Sequence, residues 1–365
     1  MRVLVLQSSG DVADLAQRCA RWADAAGVEV EVEEPADTRT LAHRLREAGD
    51  ARIDGIVLER PVDPDGLNEA VHAAGVPVVV VSGDYVADRS GPLDRACVQT
   101  IHGRGRGGFR WALRHLLART SGPWRVWAYG HEPDQAGDLR IPSAVPERGA
   151  PLAVLLHGGF WRDEWERDLM DAAAVDLTAR GWITWNVEYR RMGPSGGGWP
   201  ATLEDARVAI AAVTDLPAPV DATRIVLLGH SAGAQLALCA ASHPADRAPA
   251  GPSLVVGLAP LTDLTAAARD DVGWGSVTAF LGNPDEHQQR YREASPAARL
   301  PLGVPQLLVH GLDDRHVPTA MTRTYAAAAR DAGDDIEVAE LPGTDHFQII
   351  DPAHPSWATL VAMLA

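Results

Sequence analysis

The chain has few cysteines and no long apolar stretch, and each shortage narrows what it can be. Cys19, Cys97 and Cys239 are odd in number and lie far apart. Such a set gives neither a disulfide framework nor a metal-ligand spacing, so a reducing cytoplasm is the expected home and no metal is expected. No run approaches the roughly 18 apolar residues of a membrane span. The opening MRVLVLQSSGD has too few apolar residues for the core of a signal peptide. Positive charge is short as well. The formal balance is −16, whereas nucleic acids and anionic membranes are bound through clustered Lys and Arg. The longest basic cluster, His102-Gly-Arg-Gly-Arg106, is too brief to alter that, and no partner of either kind is expected.

What is present is a globular composition. Hydrophobic residues make up 46% and charged residues 22% of 365, enough apolar surface to offset the entropy of ordering the chain. At about one domain per 150 residues, two domains are expected. In the first part, apolar runs at Val3–Leu6, Val28–Val32, Ile53–Leu58, Val76–Val81 and Cys97–Ile101 alternate with helical patterns over 11–26, 38–49, 66–74 and 106–119. That alternation predicts a parallel, doubly wound sheet of flavodoxin-like type. Thr120-Ser-Gly-Pro123 breaks the last helix and divides the chain into 1–120 and 121–365. A second alternation follows, with strands near 124–129, 137–141, 152–156, 183–187, 225–228, 254–258, 306–309 and 336–341. Helices are expected at 165–180, 202–214, from 232, 319–331 and 355–364. This is an α/β domain with a mostly parallel eight-stranded sheet. Residues 262–300 form a long insertion with one helical piece, a candidate cap.

The chemistry collects in the second domain. Gly229-His-Ser-Ala-Gly233 follows the apolar strand Ile225–Leu228 and opens a small-residue helix. A nucleophile elbow needs that context: small neighbours let the backbone turn sharply and hold the hydroxyl clear of the sheet. A serine also needs a base, and its oxyanion needs preplaced donors. Val309-His-Gly-Leu-Asp-Asp-Arg-His-Val-Pro318 and Leu341-Pro-Gly-Thr-Asp-His-Phe347 offer an acid and a histidine downstream, in the chain order Ser, acid, His. Upstream, Leu155-Leu-His-Gly-Gly-Phe-Trp161 ends a strand, where backbone N–H groups of Gly158, Gly159 or Phe160 could join that of Ala232 in an oxyanion hole. His157 and His310 are expected to bond backbone near the strand ends. Phe160, Trp161, Trp165, Trp199 and Trp274 fall in loops or helix starts facing the carboxyl ends of the strands, where ligands bind. Together with His230, the four tryptophans make a candidate substrate pocket suited to an apolar or aromatic group.

These four motifs resemble the α/β-hydrolase superfamily, in the branch of small esterases, prolyl-oligopeptidase-like hydrolases and arylformamidases, over residues 122 to 365. The resemblance implies Ser231 as nucleophile and His346 as the base. It implies Asp314 as the acid, the fifth residue of the H-G-x-x-D-x-x-V-P pattern, with neighbouring Asp313 its rival. It implies cofactor-free hydrolysis of a small carboxylic ester through an acyl-enzyme. Arylformamidase activity on N-formylkynurenine is the alternative within the class, and a non-catalytic α/β scaffold the alternative outside it.

Residues 1–120 resemble type II 3-dehydroquinate dehydratase in element order, in Ala51-Arg-Ile-Asp-Gly-Ile-Val-Leu58, in Gly75-Val-Pro-Val-Val79 and in Ile101–Phe109. That family's catalytic Asn and His positions hold Glu59 and Ser82, and its flexible loop is missing around Ser8 to Val12. A non-catalytic domain serving homo-oligomeric assembly is therefore expected. Gly103-Arg-Gly-Arg-Gly-Gly108 fits G-x-G-x-x-G, but it follows the last strand of its domain, with no acid placed after a following strand. It reads as a glycine-rich helix start, and no cofactor is expected.

Overall fold

The computed structural model describes residues 1–7, 12–36, 38–47, 53–59, 74–82, 98–104, 107–242 and 251–364. Within these, Met1–Gly122 and Pro123–Ala365 are separate compact units. Most of the expected helix 66–74, nearly all of the Ser8–Val12 loop, Cys97 and part of the G-x-G-x-x-G stretch lie outside the described residues.

The first unit is one sheet of five strands: β1 (Arg2–Leu6), β2 (Glu29–Glu33), β3 (Gly55–Glu59), β4 (Val78–Ser82) and β5 (Val98–His102). Their order is β2-β1-β3-β4-β5, every pairing parallel, which is the flavodoxin-like order. Buried Leu4, Leu6, Ile56, Leu58, Val78 and Val80 of the strands pack with Leu41 and Leu45 of the helix Thr38–Glu47.

The second unit carries eight strands: β6 (Arg125–Ala128), β7 (Ala136–Arg140), β8 (Ala150–Leu156), β9 (Ile183–Val187), β10 (Val220–His230), β11 (Leu254–Leu258), β12 (Gln306–Gly311) and β13 (Ile336–Leu341). Their order is β13-β12-β11-β10-β8-β9-β7-β6. Among the described residues only the β6·β7 and β7·β9 pairings are antiparallel, so this is the expected mostly parallel α/β-hydrolase sheet. Its central strands read as continuous apolar runs because helices cover both faces. The helix Ala232–Ala241 is buried on every side, which explains why AGAQLALCAA carries no charge.

Two expected helices divide. Residues 165–180 give a 3₁₀ turn at Arg167–Met170 and a helix at Asp171–Ala179. The insertion 262–300 holds three short helices, Leu264–Arg269, Ser276–Leu281 and Gln288–Ala294, and a 3₁₀ turn at Pro296–Arg299, where one helical piece was expected. Among the described residues no helix is long and apolar enough to cross a membrane.

Candidate active site

Four loops at the carboxyl ends of β8, β10, β12 and β13 meet at one edge of the sheet. In β10 the strand runs straight into Ser231, whose φ of 54° and ψ of −118° lie in a region that L-residues rarely occupy. Its backbone N–H donates to the Leu258 carbonyl at 2.8 Å, which holds the turn down. The two glycines of the motif are steric requirements. A side chain at Gly229 would collide with the backbone of Gly233 and Ala234, and one at Gly233 with the carbonyl oxygens of Leu156 and His157. The Ser231 hydroxyl is buried and has no hydrogen-bond partner among the described residues.

The acid and the histidine come from adjacent strands. His346 Nδ1 donates to Asp314 Oδ2 at 2.6 Å, while Asp314 Oδ1 accepts the backbone N–H groups of His316 at 2.7 Å and Val317 at 2.9 Å. His310 Nε2 lies 3.2 Å from Asp314 Oδ2 and 3.1 Å from the Val317 carbonyl. Both are acceptors, so Nε2 carries the proton and Nδ1 accepts from the Thr322 hydroxyl at 2.7 Å. His310 thus braces the carboxylate as well as the backbone, a role its position near the end of β12 does not reveal. Burial alone would raise the Asp314 carboxyl, but the bonds from His310 and His346, the charge of His346 and the Val317 N–H outweigh it. The carboxyl is held well below the usual carboxylate range. Asp313 is exposed, and its N–H goes to the Thr344 carbonyl at 3.0 Å.

The register Leu156↔Gly229 sets the loop after β8 beside the elbow, with the Cβ position of Gly158 3.0 Å from the Ser231 Cβ. Gly159, Phe160 and Trp161 all have positive φ, at 113°, 52° and 58°. Among the described residues the N–H groups of Gly159, Phe160 and Ala232 donate to no protein acceptor, and that of Ala232 is one of the unsatisfied donors at a helix start.

Beneath this loop lies a charge network that sequence patterning misses. His157 Nε2 meets Glu188 Oε1 at 2.9 Å. The same carboxylate takes a short hydrogen bond from Arg191 and the N–H of Tyr189 at 3.0 Å. Its second oxygen takes the N–H of Arg167 at 2.9 Å. Arg191, fully buried, also faces Asp134, Asp163 and Glu166. Burial would raise the Glu188 carboxyl, yet Arg191, His157 and Arg167 hold it well below its ordinary range. Tyr189 closes the cluster, its ring stacked on His157 and its hydroxyl donating to the His157 carbonyl at 2.6 Å.

The structure separates the aromatic residues into two groups. Trp161 is fully buried, donates to Gln235 Oε1 at 3.0 Å and stacks on Phe280. Trp199 packs edge-on against the same Phe280. Trp165 instead stacks on Phe347, and Trp274, 66% exposed, sets its ring against Phe160 and His316. His230 is also buried, with Nε2 2.9 Å from the His346 carbonyl. His316, which the motif pattern passes over, stacks on His346 with centroids 4.8 Å apart. Burial, then the charge of His346, lowers its imidazole against the opposing pull of Asp314 and Asp345.

Asp314, His316 and His346 are, among the described residues, the group of side chains that could ligate a cation together. The Asp314 side chain is buried and both its oxygens are already engaged by four donors. The donor set therefore suits an acid–imidazole pair better than a metal nest.

The sheet order, the strained serine turn and the Asp–His pair define an α/β-hydrolase. A family model described as BD-FAE matches residues 138–328, more than half of the chain. The chain belongs to that family. It is 29% identical over 231 residues to the esterase LipQ of Mycobacterium tuberculosis, covering 57% of this chain and 52% of LipQ. It is 28% identical over 244 residues to LipC of the same organism, covering 62% and 60%. The chain therefore spans about half to three fifths of the length of these curated relatives. Among solved structures, a thermophilic esterase of Thermogutta terrifontis with propionate bound overlays 67% of this chain and 93% of its own at a TM-score of 0.55 and 21% identity. Esterase B of Lactobacillus rhamnosis overlays 70% and 90% at 0.58 and 16%. At these identities the likeness is one of fold.

Proposed function

We propose that the second unit is a cofactor-free carboxylic ester hydrolase in which Ser231, His346 and Asp314 form a catalytic triad. The observation that carries this reading is the 2.6 Å bond from His346 Nδ1 to a buried, ionised Asp314, beside a serine held at a strained elbow. That bond fixes the imidazole with Nε2 as its basic nitrogen. Ser231 Oγ attacks the ester carbon while Nε2 takes its proton. The oxyanion draws on the N–H groups of Ala232, Gly159 and Phe160, with Gly158 keeping the loop close. His346 then returns the proton to the leaving alkoxide, and water repeats the sequence to release the acid. Asp314 supports the imidazolium in both halves.

The rim formed by Phe160, Trp274, His316 and Phe347 supports an ester with an apolar or aromatic group. The insertion 262–300 acts as the cap that shapes that side. The first unit, whose third strand ends on Glu59, serves assembly rather than dehydration chemistry. Size-exclusion of the full chain against residues 123–365 tests the last point, and an unchanged oligomeric state would remove it.

The decisive experiment pairs fluorophosphonate labelling with turnover of p-nitrophenyl acetate, p-nitrophenyl butyrate and N-formylkynurenine. Labelling should vanish in Ser231→Ala, with kcat on the esters lower by about 10⁴-fold or more. A loss under about tenfold, or a marked preference for the formamide, would overturn the ester reading.

A further inference from the structure

His230 precedes Ser231, and its side chain is buried, only 1% exposed. Its Nε2 lies 2.9 Å from the backbone carbonyl of His346. A carbonyl oxygen only accepts, so Nε2 must carry the proton. Nδ1 is then a bare acceptor, and it has no hydrogen-bond partner among the described residues. It faces the α-carbon of Gly158, where an added Cβ would come within 2.6 Å. Among the described residues no acceptor stands there to receive a proton on Nδ1, so these surroundings favour one tautomer.

The turn that carries His346 is held on two sides. Leu312 and Asp313 donate to the carbonyls of Leu341 and Thr344, each at 3.0 Å, which ties the turn to the loop of the acid. His230 ties it to the strand of the nucleophile. The rings of His230 and His346 sit 4.7 Å apart, so one imidazole buttresses the other.

Resting on the triad reading above, we propose that His230 is a positioning residue: as the Nε2–H tautomer it donates to the carbonyl of His346 and so sets the distance between the general base and Ser231. Burial, then the charge of His346, keeps its imidazole well below the ordinary value, which is consistent with a neutral donor. The Ser231 hydroxyl has no bond of its own to His346. Their spacing is therefore inherited from the backbone that His230 clamps.

The test uses the full chain with p-nitrophenyl butyrate and two variants. His230→Leu keeps comparable volume and loses the donor, whereas His230→Gln keeps an amide N–H at similar reach. The Leu variant should lose about tenfold to a hundredfold in kcat with KM changed less than about twofold, since a small misplacement of a catalytic group costs rates of this order. Labelling of Ser231 by fluorophosphonate should slow in parallel. The Gln variant should recover most of the loss. Wild-type kcat in the Leu variant, a Gln variant as slow as Leu, or a loss carried by KM would each overturn the proposal. Long-range ¹H–¹⁵N correlation of the wild-type protein provides a reading independent of whether the Leu variant folds: His230 should be protonated on Nε2 alone, and the opposite tautomer would overturn the assignment. A wild type without Ser231-dependent labelling would remove the triad itself. Unchanged His230→Leu kinetics in a Ser231-dependent enzyme would remove only the clamp.

Discussion

Trp161 lies face to face with Phe280, their ring centroids 4.4 Å apart and their planes within 4°. One ring belongs to the loop after β8 and the other to a helix of the insertion. Arg162 adds hydrogen bonds to Ser276 Oγ at 2.8 Å and to the Trp274 carbonyl at 3.2 Å. Gln235 of the elbow helix joins Trp161 to the carbonyl of Ala294. The insertion is fastened to the loop beside Ser231 at three points, so its packing and the placement of that loop are coupled.

Phe280→Ala should therefore act on both. Removing a buried aromatic ring typically destabilises by about 3–5 kcal/mol. Here kcat should fall as well, because Trp161 loses the surface that fixes its positive-φ backbone. Urea unfolding and ester turnover on the same preparation check this, and a stability loss with wild-type kcat would contradict the coupling.

Exchanging the two neighbouring aspartates separates their roles. Asp314→Asn would present an amide to His346 Nδ1 and favour the wrong tautomer, with a loss in kcat on the order of 10⁴-fold. Asp313→Asn, at an exposed side chain, should stay within about threefold of wild type. Comparable losses in both would point to the rival acid.

The Asp314 carboxyl also makes a prediction about pH. Its native value is depressed, so the stability it contributes is fully present above the ordinary carboxylate value of about 3.9 and is lost as pH falls through the lowered native value. The stability gap between wild type and Asp314→Asn should hold steady from pH 7 to about 4.5 and narrow below about 4. Urea midpoints at a series of pH values measure it, and a gap that stays constant through pH 3 would refute it.

Glu188→Gln should destabilise by about 3–5 kcal/mol, since it removes the one carboxylate shared by His157, Arg167 and the fully buried Arg191. Every one of the 33 basic side chains is arginine, and Arg191 divides its guanidinium among several carboxylates. Arg191→Lys should therefore be nearly as damaging, because an ammonium cannot span that fork. Thermal unfolding of both variants checks the pair, and a shift within about 2 °C for either would argue against the network.

The parts of the fold that sequence conveys are those where one physical rule dominates. Ile183–Val187 and Ile336–Leu341 match their expected bounds because short segments carrying β-branched residues between breakers have one outcome in this fold. β10 extends back to Val220, well before the expected Ile225, because Asp221, Ala222 and Thr223 look like a loop until the pairing with Ala150 is seen. The helices of the insertion are six or seven residues long, too short for a 3.6-residue period to emerge. The glycines of the loops after β8 and β10 stand out in the sequence, since close backbone approach demands glycine at fixed offsets. Glu188-Tyr-Arg-Arg191 does not. Charged residues after a strand read as a solvated turn, and only burial shows them to be the floor under His157.

Gly233 sits against the carbonyl oxygens of Leu156 and His157, main chain pressed on main chain, and Gly158 sits against the ring and carbonyl of His230. Such contacts leave mutation nothing to adjust: each change there either fails sterically or does not occur. On the proposed esterase reading, variation in the ester accepted should be confined to the rim, where Trp274 is largely open to solvent. A laboratory evolution campaign should accordingly gather its beneficial substitutions in residues 262–300 and around His316, leaving the elbow and the loop after β8 unaltered across every winner.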